Sequence, residues 1–202
     1  MQINKNILSD DLSPYLKQHQ DNPVHWQTWT KETLEIAREN KKPILLSIGY
    51  ASCHWCHVMA HESFEDNDTA KVMNQFFVNI KVDREERPDL DLIFQSSFQL
   101  FNQTSGGWPL TMFLDENGVP FMGGTYFPKE SKQGLPSFKE VLLKVSDAYK
   151  DQRENIIKQK ELIIKNLELK KNSVFNQDLD PILENVLYNL DTIKGGYKGA
   201  PK

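Results

Sequence analysis

The chain has 202 residues, 39% of them hydrophobic and 26% charged, with a net charge of −4. That suffices for one domain with a full core plus an appendage, and Gly and Pro are too few for general disorder. So mild an acidic balance offers no general attraction to nucleic acid or to an anionic membrane, and neither is expected as a partner.

The opening Met1-Gln2-Ile3-Asn4-Lys5-Asn6 lacks the apolar core of a signal peptide, and no later stretch has the apolar length of a membrane span. A cytoplasmic location is therefore expected. Residues 1–42 read as a loop-rich arm followed by a helix, with Thr30 capping Lys31 to Asn40 and Leu34, Ile36 and Ala37 forming a modest apolar face. In the arm, His19, His25, Trp26 and Trp29 suit either satisfied structural roles or the lining of a pocket. Pro43 to Gly49 is nearly continuously apolar, as in a strand buried on both faces.

Cys53-His54-Trp55-Cys56 follows that strand at once, and Cys53 to about His61 is helix-compatible. Asp66 or Asn67 can cap a further helix through Phe76, and Phe77 to Val82 alternates apolar and polar like a strand. Asp83 to Asp89 is a dense charge run, read as a solvated loop or as a rim near the thiols. Pro88 opens the next helix, with Leu92, Ile93, Phe94 and Phe98 as its buried side, and Gly106-Gly107-Trp108-Pro109 breaks it. Strands over Leu110 to Leu114 and Val119 to Met122 flank Asn117-Gly118, a strong hairpin signal, and Gly123-Gly124-Thr125-Tyr126-Phe127-Pro128 is expected to end the sheet, its glycines allowing close backbone approach.

Ser137 to about Leu169 reads as a charged helix, amphipathic at Phe138, Val141, Leu142 and Val145. A second helical stripe runs from Leu179 to Ile193, with Asp180 as cap, Pro181 in the first turn and Gly195 as stop. The element order predicts an α/β domain of thioredoxin-like architecture: a central mixed sheet flanked by helices, with an amino-terminal arm and a carboxy-terminal helical extension. The predicted domains are 1–150, and 151–202 as a linker helix and the start of a helical domain.

Two cysteines three apart are no disulfide framework of a small secreted domain; in a reducing compartment they point to redox chemistry or metal. A cysteine at the start of a helix meets unpaired backbone N–H groups and the positive end of the helix dipole, which favour its thiolate. Cys53 is thus the expected nucleophile. Cys56, one turn inside, closes the disulfide, and His54 and His57 flank the pair as tuning or proton-carrying groups. Cys53-His54-Trp55-Cys56-His57 also spells the haem-attachment pattern, but that belongs to exported proteins. A zinc set of Cys53, Cys56, His57 and His61 is the more serious rival, though crowded into one helix. Two buried, inert cysteines are the bland alternative. The Trp108-Pro109 bond is trans on base rates; in a thioredoxin-like fold, where this loop faces the cysteines, cis is expected.

A family resemblance adds to this reading. Ser13-Pro14-Tyr15-Leu16, Ser47-Ile48-Gly49-Tyr50, Cys53-His54-Trp55-Cys56-His57-Val58-Met59, His61-Glu62-Ser63-Phe64-Glu65-Asp66, Val82-Asp83-Arg84-Glu85-Glu86-Arg87-Pro88-Asp89, Gly106-Gly107-Trp108-Pro109-Leu110 and Gly123-Gly124-Thr125-Tyr126-Phe127-Pro128 resemble the thioredoxin-like domain-of-unknown-function family that includes spermatogenesis-associated proteins. The resemblance covers roughly residues 10–150. It implies a thioredoxin-like fold, Cys53 and Cys56 as the redox pair, Pro109 as a cis proline beside them, and a helical toroid usually following the domain. Ser47 stands where ordinary thioredoxins carry a buried proton-transfer acid.

Together these readings predict a thiol-disulfide oxidoreductase module acting through Cys53 and Cys56. His54, Trp55, His57, Trp108 and Pro109 serve as tuning or substrate-loop residues, and the redox-active disulfide is the sole cofactor. Its expected partner is a protein or small-molecule thiol or disulfide. The alternatives are a non-enzymatic interaction module serving a helical domain, and the zinc site. The stripe at 179–193 also suggests self-association.

Overall fold

The apolar run after Pro43 becomes the central strand. In the computed structural model, which describes residues 3–132, 134–151, 153, 156, 164, 180–191, 196 and 198, β1 (Ile44–Gly49) is buried at every position. It pairs in parallel with β2 (Val78–Asp83) and antiparallel with β3 (Leu110–Leu114), which pairs antiparallel with β4 (Pro120–Gly124). The result is a four-stranded mixed sheet among the described residues, ordered β2-β1-β3-β4. At the β3–β4 hairpin, Asp115 Oδ1 accepts from the N–H groups of Asn117 and Val119, and Gly118 supplies a left-handed φ of 82°. The sheet ends within 123–128, β4 stopping at Gly124. Gly123 and Gly124 pair with Met112 and Thr111, and the Met112 thioether and the Phe127 ring pack where a side chain on either glycine would stand.

Helices cover both faces. Ala37 of α2 (Lys31–Glu39) and Leu90, Phe94 and Phe98 of α5 (Pro88–Asn102) pack with Ile44, Leu46 and Ile48. On the other face, α1 (Pro14–Lys17), α3 (His54–Met59), α4 (Asn67–Phe76) and α6 (Phe138–Asp151) join the arm's Trp26 around Leu45 and Phe113. A wider π-type turn, Ala60–Phe64, continues α3 and turns Phe64 into this core. Short polar side chains start the helices: Ser13 Oγ accepts from Leu16 N–H at 3.1 Å, Thr30 Oγ1 from Thr33 N–H at 3.2 Å, and Asp66 Oδ2 from Thr69 N–H at 2.9 Å.

Two expectations are corrected. In α5, Leu92 and Ile93 are exposed; the turn of the helix that carries Phe94 and Phe98 inward also carries Leu90, Asp91 and Ser97. The alternating strand β2 is formed as expected, with all six of its residues buried. Its polar face, Asn79, Lys81 and Asp83, lies beneath the arm, whose Gln27 donates its N–H to Asn79 O and accepts from Lys81 N–H, both at 2.9 Å. The charge run is not simply solvated, since Asp83 is buried and accepts from Ser13 Oγ at 2.7 Å.

Asp66 also accepts from Thr69 Oγ1 at 2.8 Å and, through Oδ1, from Lys129 Nζ at 2.9 Å. These bonds, that from Lys129 foremost, hold its carboxyl down at about 2. Asp66→Ala is expected to lower stability by about 1 kcal/mol at neutral pH. The carboxyl's contribution is present above the unfolded value near 4 and is lost as pH falls toward 2. Urea midpoints of the two proteins should therefore converge over that interval; a constant gap would remove the electrostatic share.

Contacts divide the chain into two units, Met1–Leu167 and Glu168–Lys202. In the second, α7 (Asp180–Asn189) carries Pro181 in its first turn, and Ile182, Leu183 and Leu187 are exposed. Leu179, Ile193, Gly195 and most of the expected linker helix lie outside the described residues. Among the described residues, no helix is long and apolar enough to cross a membrane.

Candidate active site

Strand β1 delivers the chain to Cys53, which caps α3 in extended backbone conformation. Cys53 and Cys56 are joined as a disulfide, with Cα atoms 5.2 Å apart. Cys53 Sγ accepts from the Cys56 N–H at 3.2 Å, an amide of the first turn that it shares with Cys53 O at 3.1 Å. On reduction the same amide, with the dipole behind it, favours the Cys53 thiolate. Both cysteines are buried, at 3% and 2% exposure, so the amide and the dipole act against a desolvation cost on that charge. His57 Nε2 donates to Ala51 O at 2.8 Å and ties the helix to the loop before Cys53, while His54 lies exposed against the edge of Trp55.

The register Ile48↔Leu110 sets the residues before β3 beside the end of β1 that leads to the cysteines. There the Trp108-Pro109 peptide bond is cis. Residues missed in the sequence hold this loop from α5. Asp91 Oδ1 accepts from Trp108 Nε1–H at 2.9 Å, Asp91 Oδ2 faces Arg84 Nε at 3.4 Å, and Gln95 Nε2 donates to Gly107 O at 3.2 Å. The Arg84 guanidinium lies 4.0 Å from the centre of the Trp108 ring, so part of the charge run forms a wall of the site. Trp55, half exposed, meets Tyr126 at 5.1 Å, and with Gly106, Gly107, Trp108 and Thr125 they line a groove of about 350 Å³. Tyr126 Oη donates to Glu62, and burial followed by this bond pushes its phenol up to about 12.

Behind the disulfide lies a polar cluster that the sequence reading overlooked. Lys81 Nζ, buried at the middle of β2, donates to Tyr15 Oη at 2.8 Å and to Ser47 Oγ at 2.9 Å. The rings of Tyr15, Phe64 and Trp26 stand 4.8, 4.9 and 5.2 Å from it. Burial drives Lys81 well below the usual lysine value, the nearby Asp83 opposing, and burial raises the Tyr15 phenol. In the sequence Lys81 is one of three polar residues of an alternating strand, with Asn79 and Asp83, and nothing local marks it out.

The four residues of the zinc alternative are not brought together. The sulfurs are bonded to each other, His57 is engaged by Ala51, and His61 Nδ1 pairs with Glu65 at 2.9 Å. Among the described residues, no group of three or more His, Cys, Asp or Glu is arranged to hold a metal ion. In the arm, His19 and Trp26 are buried, both bonded to Asn22 Oδ1, while Trp29 meets Phe94 edge-on. His25 lines a separate pocket with Lys42, Asn74 and Asn79, away from the cysteines.

A disulfide spanning the first turn of a helix, fed by the central strand of a mixed sheet and flanked by a cis-proline loop, defines a thioredoxin-like domain. The chain belongs to the Thioredox_DsbH family, described as a protein of unknown function, DUF255, whose profile matches residues 5–168. It is 40% identical over 202 residues to the uncharacterized protein B0495.5 of Caenorhabditis elegans, covering 98% of this chain and 28% of that one. It is 37% identical over 206 residues to spermatogenesis-associated protein 20 of Homo sapiens, covering 98% and 26%. The chain thus spans about a quarter of the length of the curated relatives it matches. A solved structure, the disulphide isomerase from Xylella fastidiosa Temecula1, is similar at 17% identity with a TM-score of 0.46, covering 71% of this chain and 98% of that one.

Proposed function

We propose that this domain is a thiol-disulfide oxidoreductase for polypeptide substrates. The observation that carries the reading is the Cys56 N–H aimed at Cys53 Sγ at a helix start. A substrate thiolate attacks Cys53 Sγ, the Cys53–Cys56 bond breaks, and Cys56 leaves as a thiolate. A second substrate thiolate then attacks the substrate sulfur of the mixed disulfide and releases Cys53 as a thiolate. Two electrons have passed from the substrate to the pair, and the reduced pair runs the same steps backwards on a substrate disulfide. The groove between Trp55, Trp108 and Tyr126 suits an extended segment with an apolar side chain beside its cysteine. His54 and His57 tune the pair from its exposed flank. We place this activity in residues 1–150, with 151–202 as a helical extension.

Alkylation of the reduced protein across pH tests the reading. Cys53 should reach half-maximal reactivity well below the unstructured thiol value of about 8.5, and Cys56→Ser should trap mixed disulfides with thiol-bearing polypeptides. A Cys53 no more reactive at neutral pH than a thiol in an unfolded peptide overturns it.

A further inference from the structure

We propose that Tyr15 and Lys81 form a buried proton relay for Cys56, the Tyr15 hydroxyl passing a proton between Cys56 Sγ and Lys81 Nζ. This deepens the exchange reading above and rests on it. Three observations carry the relay. Lys81 Nζ lies 2.8 Å from Tyr15 Oη. Tyr15 Oη and Cys56 Sγ crowd the same point over the Gly49 Cα: a methyl group there would stand 2.7 Å from Cys56 Sγ and nearer still to Tyr15 Oη. And no carboxylate among the described residues forms an ion pair with Lys81, whose nearest negative charge, Asp83, is held by Ser13 Oγ and the Glu85 N–H.

A fully buried ammonium without a partner is costly, so desolvation favours the neutral amine, and a buried lysine shifts in this way more readily than any arginine. In the neutral amine an N–H bonds to Ser47 Oγ and the lone pair faces the Tyr15 O–H, ready to take its proton; the ammonium donates to both oxygens. Burial keeps Tyr15 protonated, so it serves as a conduit. The groups that face the amine are Tyr15 from α1, His19 just after it, Ser47 from β1, Asp83 on its own strand, and Cys56 through Tyr15. His19 is pushed down to about 2, chiefly by burial, and stays neutral in the working range.

In the resolving step, Cys56 begins as a thiol beside a mixed disulfide on Cys53. Its proton moves to Tyr15 Oη as the tyrosine proton moves to Lys81 Nζ, leaving a thiolate, an ammonium and an unchanged phenol. Cys56 Sγ then attacks Cys53 Sγ, that bond forms, and the substrate sulfur leaves with the electron pair of the broken bond. In the opposite direction the Lys81 ammonium returns the proton to Cys56 as it leaves.

The full chain, reduced and mixed with excess dithiobis-nitrobenzoate, should release two coloured thiolates in turn. The first reports capture by Cys53 and the second reports resolution by Cys56. Tyr15→Phe and Lys81→Met are each expected to lower the ratio of second to first rate by about tenfold or more at neutral pH, in the range of general acid-base assistance. The deficit should close above about pH 9, where the thiol ionises unaided. The double variant should lose no more than either single one. A ratio unchanged in Tyr15→Phe, or lowered equally at every pH as a packing defect would do, overturns the relay; if Lys81→Met fails to fold, Tyr15→Phe alone decides. A first phase in the unsubstituted chain no faster than that of an unstructured thiol overturns the exchange reading instead.

Discussion

Gly49→Ala is expected to destabilise the domain by about 2 kcal/mol or more, as overpacking of a filled core does. The added methyl would stand 2.7 Å from Cys56 Sγ, 2.8 Å from Tyr15 Cζ and closer to Tyr15 Oη. None of these atoms is the free end of a flexible side chain. Tyr15 is a rigid ring, 1% exposed, held at its hydroxyl by Lys81, and Cys56 is bonded to Cys53. Relief therefore requires moving α1 or α3 against β1. Denaturant unfolding of the oxidised protein measures the cost, and a midpoint equal to that of the unsubstituted chain would show that the space is more yielding than it looks. Gly49 is thus required by the close approach of three elements behind the disulfide, and its conformation is otherwise ordinary.

His19 should give the domain a steep acid dependence. The Trp26 Nε1–H donates to Asn22 Oδ1 at 3.2 Å, which marks that atom as the carbonyl oxygen, so His19 Nδ1 at 3.0 Å from it must donate as well. Burial foremost, joined by Lys81 whenever that amine is protonated, pushes the imidazole down to about 2, against the pull of the Asn22 bond and with smaller downward contributions from His57 and His61. The folded value lies below the unfolded value near 6.5, so the unfolded chain binds the extra proton. Stability is complete above that value and falls by about 1.4 kcal/mol per unit below it, roughly 3 kcal/mol by about pH 4.5. His19→Gln should be less stable at neutral pH yet flatter over this interval. Equal slopes in the two proteins, or ring proton resonances of His19 that titrate near 6.5 in the folded chain, would refute the assignment.

Local chemistry was written plainly where one residue decides one feature. Thr30 and Asp66 accept the amides that start their helices, Asn117-Gly118 turns the hairpin, and the apolar run before Cys53 is the central strand. The cysteine spacing located the disulfide, and Gly107-Trp108-Pro109 located the loop beside it. Hidden were the features that depend on a distant part of the chain. Lys81 falls at a polar position of an alternating strand, and nothing local says that Tyr15, Trp26 and Gln27 will cover that face. Asp91 and Gln95 carry no local sign that the Trp108 loop returns to them. Leu92 and Ile93 were assigned to the core by hydrophobicity alone, which cannot choose between two overlapping stripes on one helix.

The Gln27 bridge also bears on how this domain can be trimmed. By bonding to Asn79 and Lys81, the arm closes the outer border of the sheet, where β2 would otherwise present bare amides and carbonyls to any neighbour. Removing residues 3–30 would unseal that border and wet the lysine beneath it in a single cut. A minimal version that begins at the first long helix is therefore a poor reagent, inclined to stack border to border with its own kind.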